Sequence, residues 1–393
     1  MRILAIETSC DETAIALVEA SGPSTSSGLA ASLPKFKVIK SLVTSQIPIH
    51  RPFGGVVPNL AKREHLKNLP ILWQRIMNQE LGIKKREKKT IIHNSRFVIP
   101  NIDLIAVTVG PGLEPALWTG IEFAKKLSAD LKKPLIGANH LEGHLYSFLL
   151  AKSYSNVLKN IRIRNLFPAV ALIVSGGHTI LLLVHDLAHW KKLGETQDDA
   201  VGEAFDKVAR LLELPYPGGP EIERLAKSSK LEAKSYIPFP RPMLNQKNYN
   251  FSFSGLKTAV LYYLRDHGLL RIRKYESEII KPHDEKTIIH DSKFMIQDIA
   301  ASFQQAAIDV LVQKTMRAAR EHGARSILLS GGVAANALLR KTLKAESQKL
   351  KAHFLVADLK YNTDNAVMIA VAAYMTHLRK KKYKLEAQGG LNI

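Results

Sequence analysis

Two stretches of this chain, LAIETSCDETAIALVE (residues 4–19) and LIVSGGHTILLLVHD (172–186), carry one pattern: an apolar strand, a small polar turn, a second apolar strand. Ser9 and Ser175 stand at the two corners. A β-hairpin of this kind recurring at the head of two halves points to a duplicated α/β unit, each half built on its own sheet. The elements between agree. After the first hairpin, with its tip at Glu7–Thr13, come a strand at KVIKSLVTSQ, a helix at PNLAKREHLKNLPILWQRIMNQ, and a strand at IDLIAVTVGPG. A helix, the strand PLIGAN and a helix at HLEGHLYSFLLA follow. The second half runs through a helix at DDAVGEAFDKVARLLEL, the loop PYPGGP, a helix at EIERLAKS, a Pro-rich loop and a long helix from about Ile296. It closes with strand SILLSGG, a helix, strand HFLVA and a helix at DNAVMIAVAAYMTHLRKKK. In the first long helix, Leu60, His65, Leu66, Leu69, Leu72 and Trp73 share one side at helical spacing.

A chain of 393 residues suits two domains or one large one. Two charged, poorly periodic segments, 84–97 and 271–294, read as surface insertions; they share KTIIHNSRF against KTIIHDSKF, a resemblance with no physical account. No apolar run reaches the roughly 18–20 residues of a membrane helix. The longest, VALIVSGGHTILLLV, is broken by Ser-Gly-Gly-His-Thr. The single cysteine, Cys10, excludes an intramolecular disulfide. No signal or transit segment precedes the first strand, so the expectation is a cytoplasmic protein or a chain numbered from after a removed presequence. The net charge of +21 points to a polyanionic partner, chiefly nucleic acid. The basic runs KKREKK (84–89), AKREHLK (61–67) and RKKKYK (379–384) suit contact with a phosphate backbone, though each read alone is a solvated face.

Three constellations carry chemistry. SGGHT (175–179) and SGGVAAN (330–336) each end an apolar strand, and a helix expected from Ala334 would aim free N–H groups at an anion. Asp206 and Glu223 flank the Pro-Gly-Gly turn, where carboxylates suit ribose hydroxyls; solvated helix acids are the commoner reading of each. In NHLEGH, His140 and His144 stand four apart, one turn of one helix face. A zinc protease needs Glu directly after the first histidine. Here Leu141 holds that place and Glu142 comes one later, about 100° further round, so the motif fails. The pair still suits two imidazole ligands to one metal, with Asp364 at a helix start as a third, although satisfied or surface histidines are the commoner reading.

ETSCDETAIAL, GGVVPNLAKREHLKNLP, NHLEGH, VSGGHT, GEAFDKVARLL, YPGGPEIE, FSFSGLKTA, SGGVAANALLR and TDNAVMIA, in order from residue 3 to about 374, resemble the tRNA N6-adenosine threonylcarbamoyltransferase (TsaD) family. The opening ETSCDET looks like the bacterial and mitochondrial branch; the basic balance and insertions look like the fungal mitochondrial form, which acts as a homodimer without accessory subunits. The resemblance implies an actin/Hsp70-like (ASKHA) α/β fold of two lobes on duplicated RNase H-like sheets with a ligand cleft between: lobes at 1–138 and 139–374, and a basic tail, 375–393, able to pack back on the first. It implies transfer of threonylcarbamoyl from threonylcarbamoyl-AMP to N6 of the adenosine 3′ of the anticodon in tRNAs reading ANN codons; AMP or ATP would fit the same cleft. His140, His144 and Asp364 would hold one divalent metal ion, iron or zinc. Ile173, Val174, Ser175, Gly176 and Gly177 would line the phosphate and acyl part of the donor, and Asp206, Gly219, Glu223 and Asn336 its nucleoside. Asp11 and Glu12 would lie at the reaction centre. A YrdC-like threonylcarbamoyl-AMP synthase would supply the donor, in the mitochondrial matrix and away from any membrane. The rival readings are an ATP-dependent kinase or ATPase of the same superfamily, a metalloprotease, and a non-catalytic RNA-binding protein.

Overall fold

A computed structural model describes residues 1–22, 33–80, 101–151, 165–231, 236–269 and 285–393. The 84–97 insertion and most of 271–294 lie outside these residues; Glu285 onward forms the first turns of a long helix. Contacts divide the chain into two units. The first comprises Met1–Phe167, Val184–Trp190 and Leu355–Ile393, and the second Pro168–Leu183 and Lys191–Phe354.

In the first unit, β1 (Arg2–Glu7), β2 (Glu12–Ser21) and β3 (Lys35–Ser45) form an antiparallel meander. A one-turn helix α1 (Ile47–His50) and the long α2 (Pro58–Glu80) lead to β4 (Leu104–Gly110), α3 (Glu114–Leu131), β5 (Leu135–Asn139) and α4 (His140–Tyr146). The sheet order is β3-β2-β1-β4-β5, with β4 parallel to β1 and β5 parallel to β4. In the second unit, β6 (Ala169–Val174), β7 (Thr179–Val184) and β8 (Trp190–Glu195) precede α5 (Val201–Leu211), α6 (Gly218–Ser228), α7 (Ser254–Asp266) and α8 (Glu285–Glu321). Then come β9 (Ser326–Ser330), α9 (Ala337–Lys349), β10 (His353–Val356) and, back in the first unit, α10 (Ala366–Leu378). The second sheet reads β10-β9-β6-β7-β8, with β9 parallel to β6. Four residues join β6 to β7, a link short enough only for an antiparallel pair. Read from the meander's edge, both sheets thus have the order third, second, first, fourth, fifth. This is the duplicated RNase H-like sheet of the actin/Hsp70-like class.

Why the strands are strands is plain from burial. β4, β6, β7 and β9 are buried along their whole length, as strands covered on both faces must be, and they read as continuous apolar runs. In the first unit, α2 and α3 pack against the sheet through Leu69, Leu72, Ile76, Ile121 and Ala124. α10, which also packs on this sheet, is buried at every position but His377; its alanine-rich sequence is apolar all round, as a fully covered helix requires.

Three expectations change, and two elements come without one. The boundary drawn after residue 138 falls inside the first unit, because α4 packs on β5 and α10, and α10 on β1 and β2. Leu66 is 56% exposed: it lies about 100° off the buried stripe of Ala61, His65, Leu69, Leu72 and Ile76. The helix expected from Ala334 starts at Ala337, after a single 3-10 turn at Gly332–Ala335. β8 and α7 have no clear signal in the sequence. β8 is a half-buried edge strand rich in charge, and α7 buries only Leu256, Val260 and Leu264. Among the described residues no helix is long and apolar enough to cross a membrane.

Candidate metal centre and glycine cradle

β5 ends at Asn139, whose side-chain oxygen accepts the N–H groups of Leu141 (2.8 Å) and Glu142 (3.2 Å) and so starts α4 at once. That cap puts His140 and His144 on one face, their rings perpendicular with centroids 4.7 Å apart. Asp364, just before α10, brings Oδ1 to 3.3 Å from His140 Nε2 and 3.2 Å from His144 Nε2. The three ligand atoms lie within 4.8 Å of one another, and among the described residues no other such trio comes together. Neither ring nitrogen of the wholly buried His144 makes a well-formed hydrogen bond, and Nε2 meets only the Asp364 carboxylate oxygen at 3.2 Å. Buried polar atoms are rarely left so, and a metal ligand is the simplest reason for one. Two imidazoles and a carboxylate suit zinc or iron and leave coordination positions open.

The support behind His140 has no signal in the local sequence. Glu7 Oε2 lies 3.2 Å from His140 Nδ1, with Ser9 Oγ at 3.1 Å. A carboxylate only accepts, so Nδ1 carries the proton and Nε2 is left to face Asp364. Glu7 is itself held by the Thr108 hydroxyl (2.6 Å) and the Ser9 N–H. Burial pushes the Glu7 carboxyl up, but the adjacent His140 outweighs it and holds the acid below its usual range. Asp364, likewise opposed by burial, is pulled far down by the two histidines. Burial works against charge on His140, yet Asp364 and Glu7 raise it well above the ordinary imidazole; His144, desolvated by burial, is lowered.

Asp11 and Glu12 stand on the turn into β2, in the same unit. Glu12 is pushed well above the usual range by burial, then by the charges of Asp11 and Asp364. Two buried histidines grip this turn. His65 Nε2 donates to the Cys10 carbonyl at 2.9 Å while Nδ1 accepts from Thr13 Oγ1 at 2.8 Å. His50 Nε2 donates to Gln46 Oε1 at 3.0 Å, and the Gln46 N–H donates to the Asp11 carbonyl at 2.9 Å.

Glu142, the acid in the wrong place for a protease, is wholly buried. It accepts from Arg379, from Lys381 (3.1 Å) and from Tyr383 (2.6 Å). Two residues from each histidine is about 200° of helix, so it faces away from the pair. The RKKKYK run is therefore not one free basic face: Arg379 and Lys381 are committed to Glu142.

The second unit assembles the glycine-rich corners. Gly331, at φ +91°, lies so close to the end of β6 that a Cβ would meet the Val174 carbonyl oxygen at 2.2 Å. Gly202, in the first turn of α5, donates its N–H to the Ser175 carbonyl at 3.3 Å. Asp206 Oδ1 accepts the Gly218 N–H (2.7 Å) at the start of α6, and Glu223 Oε1 accepts the Ala337 N–H (3.1 Å) at the start of α9. Strand ends and three helix N-termini are thus linked in one chain of contacts, with carboxylates already seated at the starts of α6 and α9. Gly176, Gly177, Gly219 and Gly332 have open space where a Cβ would be. Ile173, Val174 and Ser175 are buried, so among 173–177 the accessible residues are Gly176 and Gly177. Asn336 caps α9 through the Leu339 N–H (3.0 Å) and donates to Gln304 (2.8 Å); Glu223 also pairs with Lys227 at 2.7 Å.

Comparison with known proteins adds to this geometry. A family model described as "TsaD: tRNA N6-adenosine threonylcarbamoyltransferase" matches residues 37–371. A protein of Thermosipho africanus named tRNA N6-adenosine threonylcarbamoyltransferase is 44% identical over 395 residues, covering 100% of both chains. One of the same name from Bacillus licheniformis is 39% identical, over 100% of this chain and 97% of its own. Among solved structures, the activator of a 2-hydroxyisocaproyl-CoA dehydratase from Clostridium difficile aligns over 97% of each chain with a TM-score of 0.45 and 11% identity, too distant a likeness to weigh.

Proposed function

From the premise that this chain belongs to the tRNA N6-adenosine threonylcarbamoyltransferase family, a transferase forming N6-threonylcarbamoyladenosine on tRNA, we propose how its residues divide the work. His140, His144 and Asp364 hold one divalent metal ion, iron or zinc, and the observation that carries this is the convergence of their three ligand atoms within 4.8 Å of one another. When bound, such an ion supplies Lewis-acid polarisation of the donor's carbamoyl carbonyl or threonine oxygens. Ser175–Gly177 and the helix N-termini beside them take the phosphate of threonylcarbamoyl-AMP. Asp206, Gly219, Glu223 and Asn336 orient its nucleoside.

The donor is a mixed anhydride, already activated, so positioning does most of the catalysis. The adenosine N6 forms a bond to the carbamoyl carbon, the carbon–oxygen bond to phosphate breaks, and AMP leaves with the electron pair. The N6 proton passes to the Asp11 carboxylate, with Glu12 next to it on the same turn. Backbone amides of the cradle offset charge on the departing phosphate. An actin-like kinase or ATPase is not favoured, since the family match names the acyl transferase.

The net charge of +21 and the exposed Lys62, Arg63 and Lys67 of α2 support a tRNA as acceptor, and its decoding of ANN codons is proposed on the resemblance of the sequence. A YrdC-like synthase as donor source, a homodimeric state and the mitochondrial matrix are proposed on the resemblance of the sequence alone. One reconstitution tests the reading: protein, ATP, threonine, bicarbonate, tRNA and a threonylcarbamoyl-AMP synthase, followed by nucleoside analysis. Modified adenosine without further subunits is expected; none formed by metal-loaded protein would overturn it. Sedimentation of the same sample reads the dimer.

A further inference from the structure

The segment after α10 touches the metal-bearing region at four points, all inside the first unit. Arg379, Lys381 and Tyr383 converge on Glu142, on the face of α4 opposite the histidine pair. The Gln388 N–H donates to the Val109 carbonyl at 2.8 Å, at the end of β4. The Gly389 carbonyl accepts the Gly112 N–H at 3.2 Å. The Asn392 carbonyl accepts from Asn139 Nδ2 at 2.9 Å, the side chain that caps α4. Tyr383, Leu385, Ala387 and Leu391 pack on the apolar core beneath.

These contacts lead to the metal ligands by short covalent and hydrogen-bonded paths. Glu142 and Asn139 fix the rotation and the start of α4, hence the direction of both imidazoles. The loop at Gly112 sits directly on the Ser9 turn: a Cβ on Gly112 would meet the Ser9 carbonyl oxygen at 2.5 Å, and the Leu113 N–H donates to that same oxygen at 2.8 Å. Ser9 Oγ in turn lies 3.1 Å from His140 Nδ1. One strap therefore bears on His140 from two sides, through its own helix and through its hydrogen-bonded support.

We propose that residues 379–392 form a strap, with Arg379, Lys381 and Tyr383 as positioning residues, that holds α4 in its metal-binding orientation by gripping Glu142 and Asn139. Holding ligands in place in advance spares the ordering that would otherwise oppose binding. The proposal rests on the metal reading of His140, His144 and Asp364. None of the three strap side chains approaches the ligand face, so the expected mark is weaker metal affinity in a folded protein.

The test uses full-length protein, stripped of metal and titrated with Zn²⁺ against a chromophoric chelator, well below the melting temperature. Tyr383→Phe keeps the ring and removes only the hydroxyl; Arg379→Gln, Lys381→Met and deletion of residues 387–393 complete the set. Thermal melts and AMP binding to the second unit run in parallel as controls for folding. Tyr383→Phe and Arg379→Gln are expected to bind Zn²⁺ about tenfold or more weakly, the usual reach of outer-shell changes, with AMP binding intact. A lowered melting temperature with wild-type Zn²⁺ affinity would show a merely structural segment and overturn the proposal. Should Arg379→Gln fail to fold, Tyr383→Phe and Lys381→Met decide. His140→Ala separates the underlying reading: if it too binds Zn²⁺ as the wild type does, the metal assignment itself is wrong.

Discussion

Glu7 on β1 meets His140 on α4 across 3.2 Å, carboxylate to Nδ1, and by doing so decides which nitrogen of that histidine faces Asp364. The pair is buried, and Thr108 and Ser9 hold the acid from the other side. Removing the carboxylate frees the ring to rotate and to change tautomer. Glu7→Ala is therefore expected to lower metal affinity by about 10–100-fold, and Glu7→Gln, which keeps an acceptor oxygen, by less. Chelator competition on the two purified variants reads the difference directly; equal affinity in both and in the wild type would exclude the role.

Asp11 carries a separate expectation. It sits on the turn gripped by His65 and Gln46 in the first unit, whereas the residues proposed to bind the donor belong to the second. Asp11→Ala should bind threonylcarbamoyl-AMP normally and lose transfer by about 10²–10⁴-fold, the range for a positioned base. Single-turnover rates with preloaded donor, set beside donor affinity by calorimetry, distinguish loss of chemistry from loss of binding. Transfer at the wild-type rate would mean another group accepts the proton.

Much of this site is visible in the chain. The twin hairpins foretell two sheets of one topology, and the spacing of His140 and His144 foretells their shared face, because both patterns are local. What hides is long-range. Glu7 reads as the end of an apolar strand, and only the pairing of β1 with β4 and the placing of α4 bring it to His140. The run RKKKYK reads as a solvated surface, since nothing nearby in sequence announces the buried carboxylate of Glu142 that gathers Arg379 and Lys381. Asn336 looks like a ligand-facing amide, whereas its first duty is to cap α9. Leu66 looks like core because one hydrophobic residue off the stripe is hard to tell from the stripe itself.

The glycines of the second unit divide into two kinds. Gly331 combines φ +91° with a carbonyl oxygen 2.2 Å from where a Cβ would sit. Gly331→Ala should cost at least the ~1–3 kcal/mol of backbone strain at such a site, seen as a lower denaturant midpoint. Gly219→Ala meets nothing within 4 Å and, in the first turn of α6, should leave the midpoint level or slightly raised. If Gly219 backs the donor's nucleoside as proposed, its methyl would crowd that ligand and AMP affinity should fall. A Gly219→Ala protein binding AMP as tightly as the wild type removes that glycine from the donor site.

Acceptor binding should follow charge. Lys62, Arg63 and Lys67 are exposed on α2, Lys67 with Glu64 at 3.5 Å. Reversing Lys62 and Arg63 to Glu should weaken tRNA binding alike across acceptors and reduce the slope of log affinity against log salt by about one for each phosphate no longer neutralised. An unchanged slope would place the tRNA path elsewhere.

His65 gives a dependence on pH whose sign can be worked out. Burial lowers its pKa below the ordinary 6.5, against the opposing pull of its bond to the Cys10 carbonyl; His50, also desolvated by burial, shifts the same way. Above about pH 6.5 neither the folded nor the unfolded chain protonates these rings, and their full stabilisation is present. As the pH falls through that value the unfolded chain takes up protons that the folded one refuses, so stability drops until the folded pKa is passed and the slope vanishes. His65→Gln removes this contribution, while other titrating groups act on both proteins and cancel in the comparison. The stability advantage of wild type over His65→Gln should therefore shrink between about pH 7.5 and pH 5.5. His65→Leu, which takes the histidine partner from the Cys10 carbonyl and leaves the Thr13 hydroxyl only a long bond from Gln46, should cost about 1–3 kcal/mol at neutral pH and slow transfer by loosening the Asp11 turn. Urea melts of the three proteins across that pH range supply the check, and a difference between wild type and His65→Gln that stays constant or widens towards acid would contradict a neutral, buried His65.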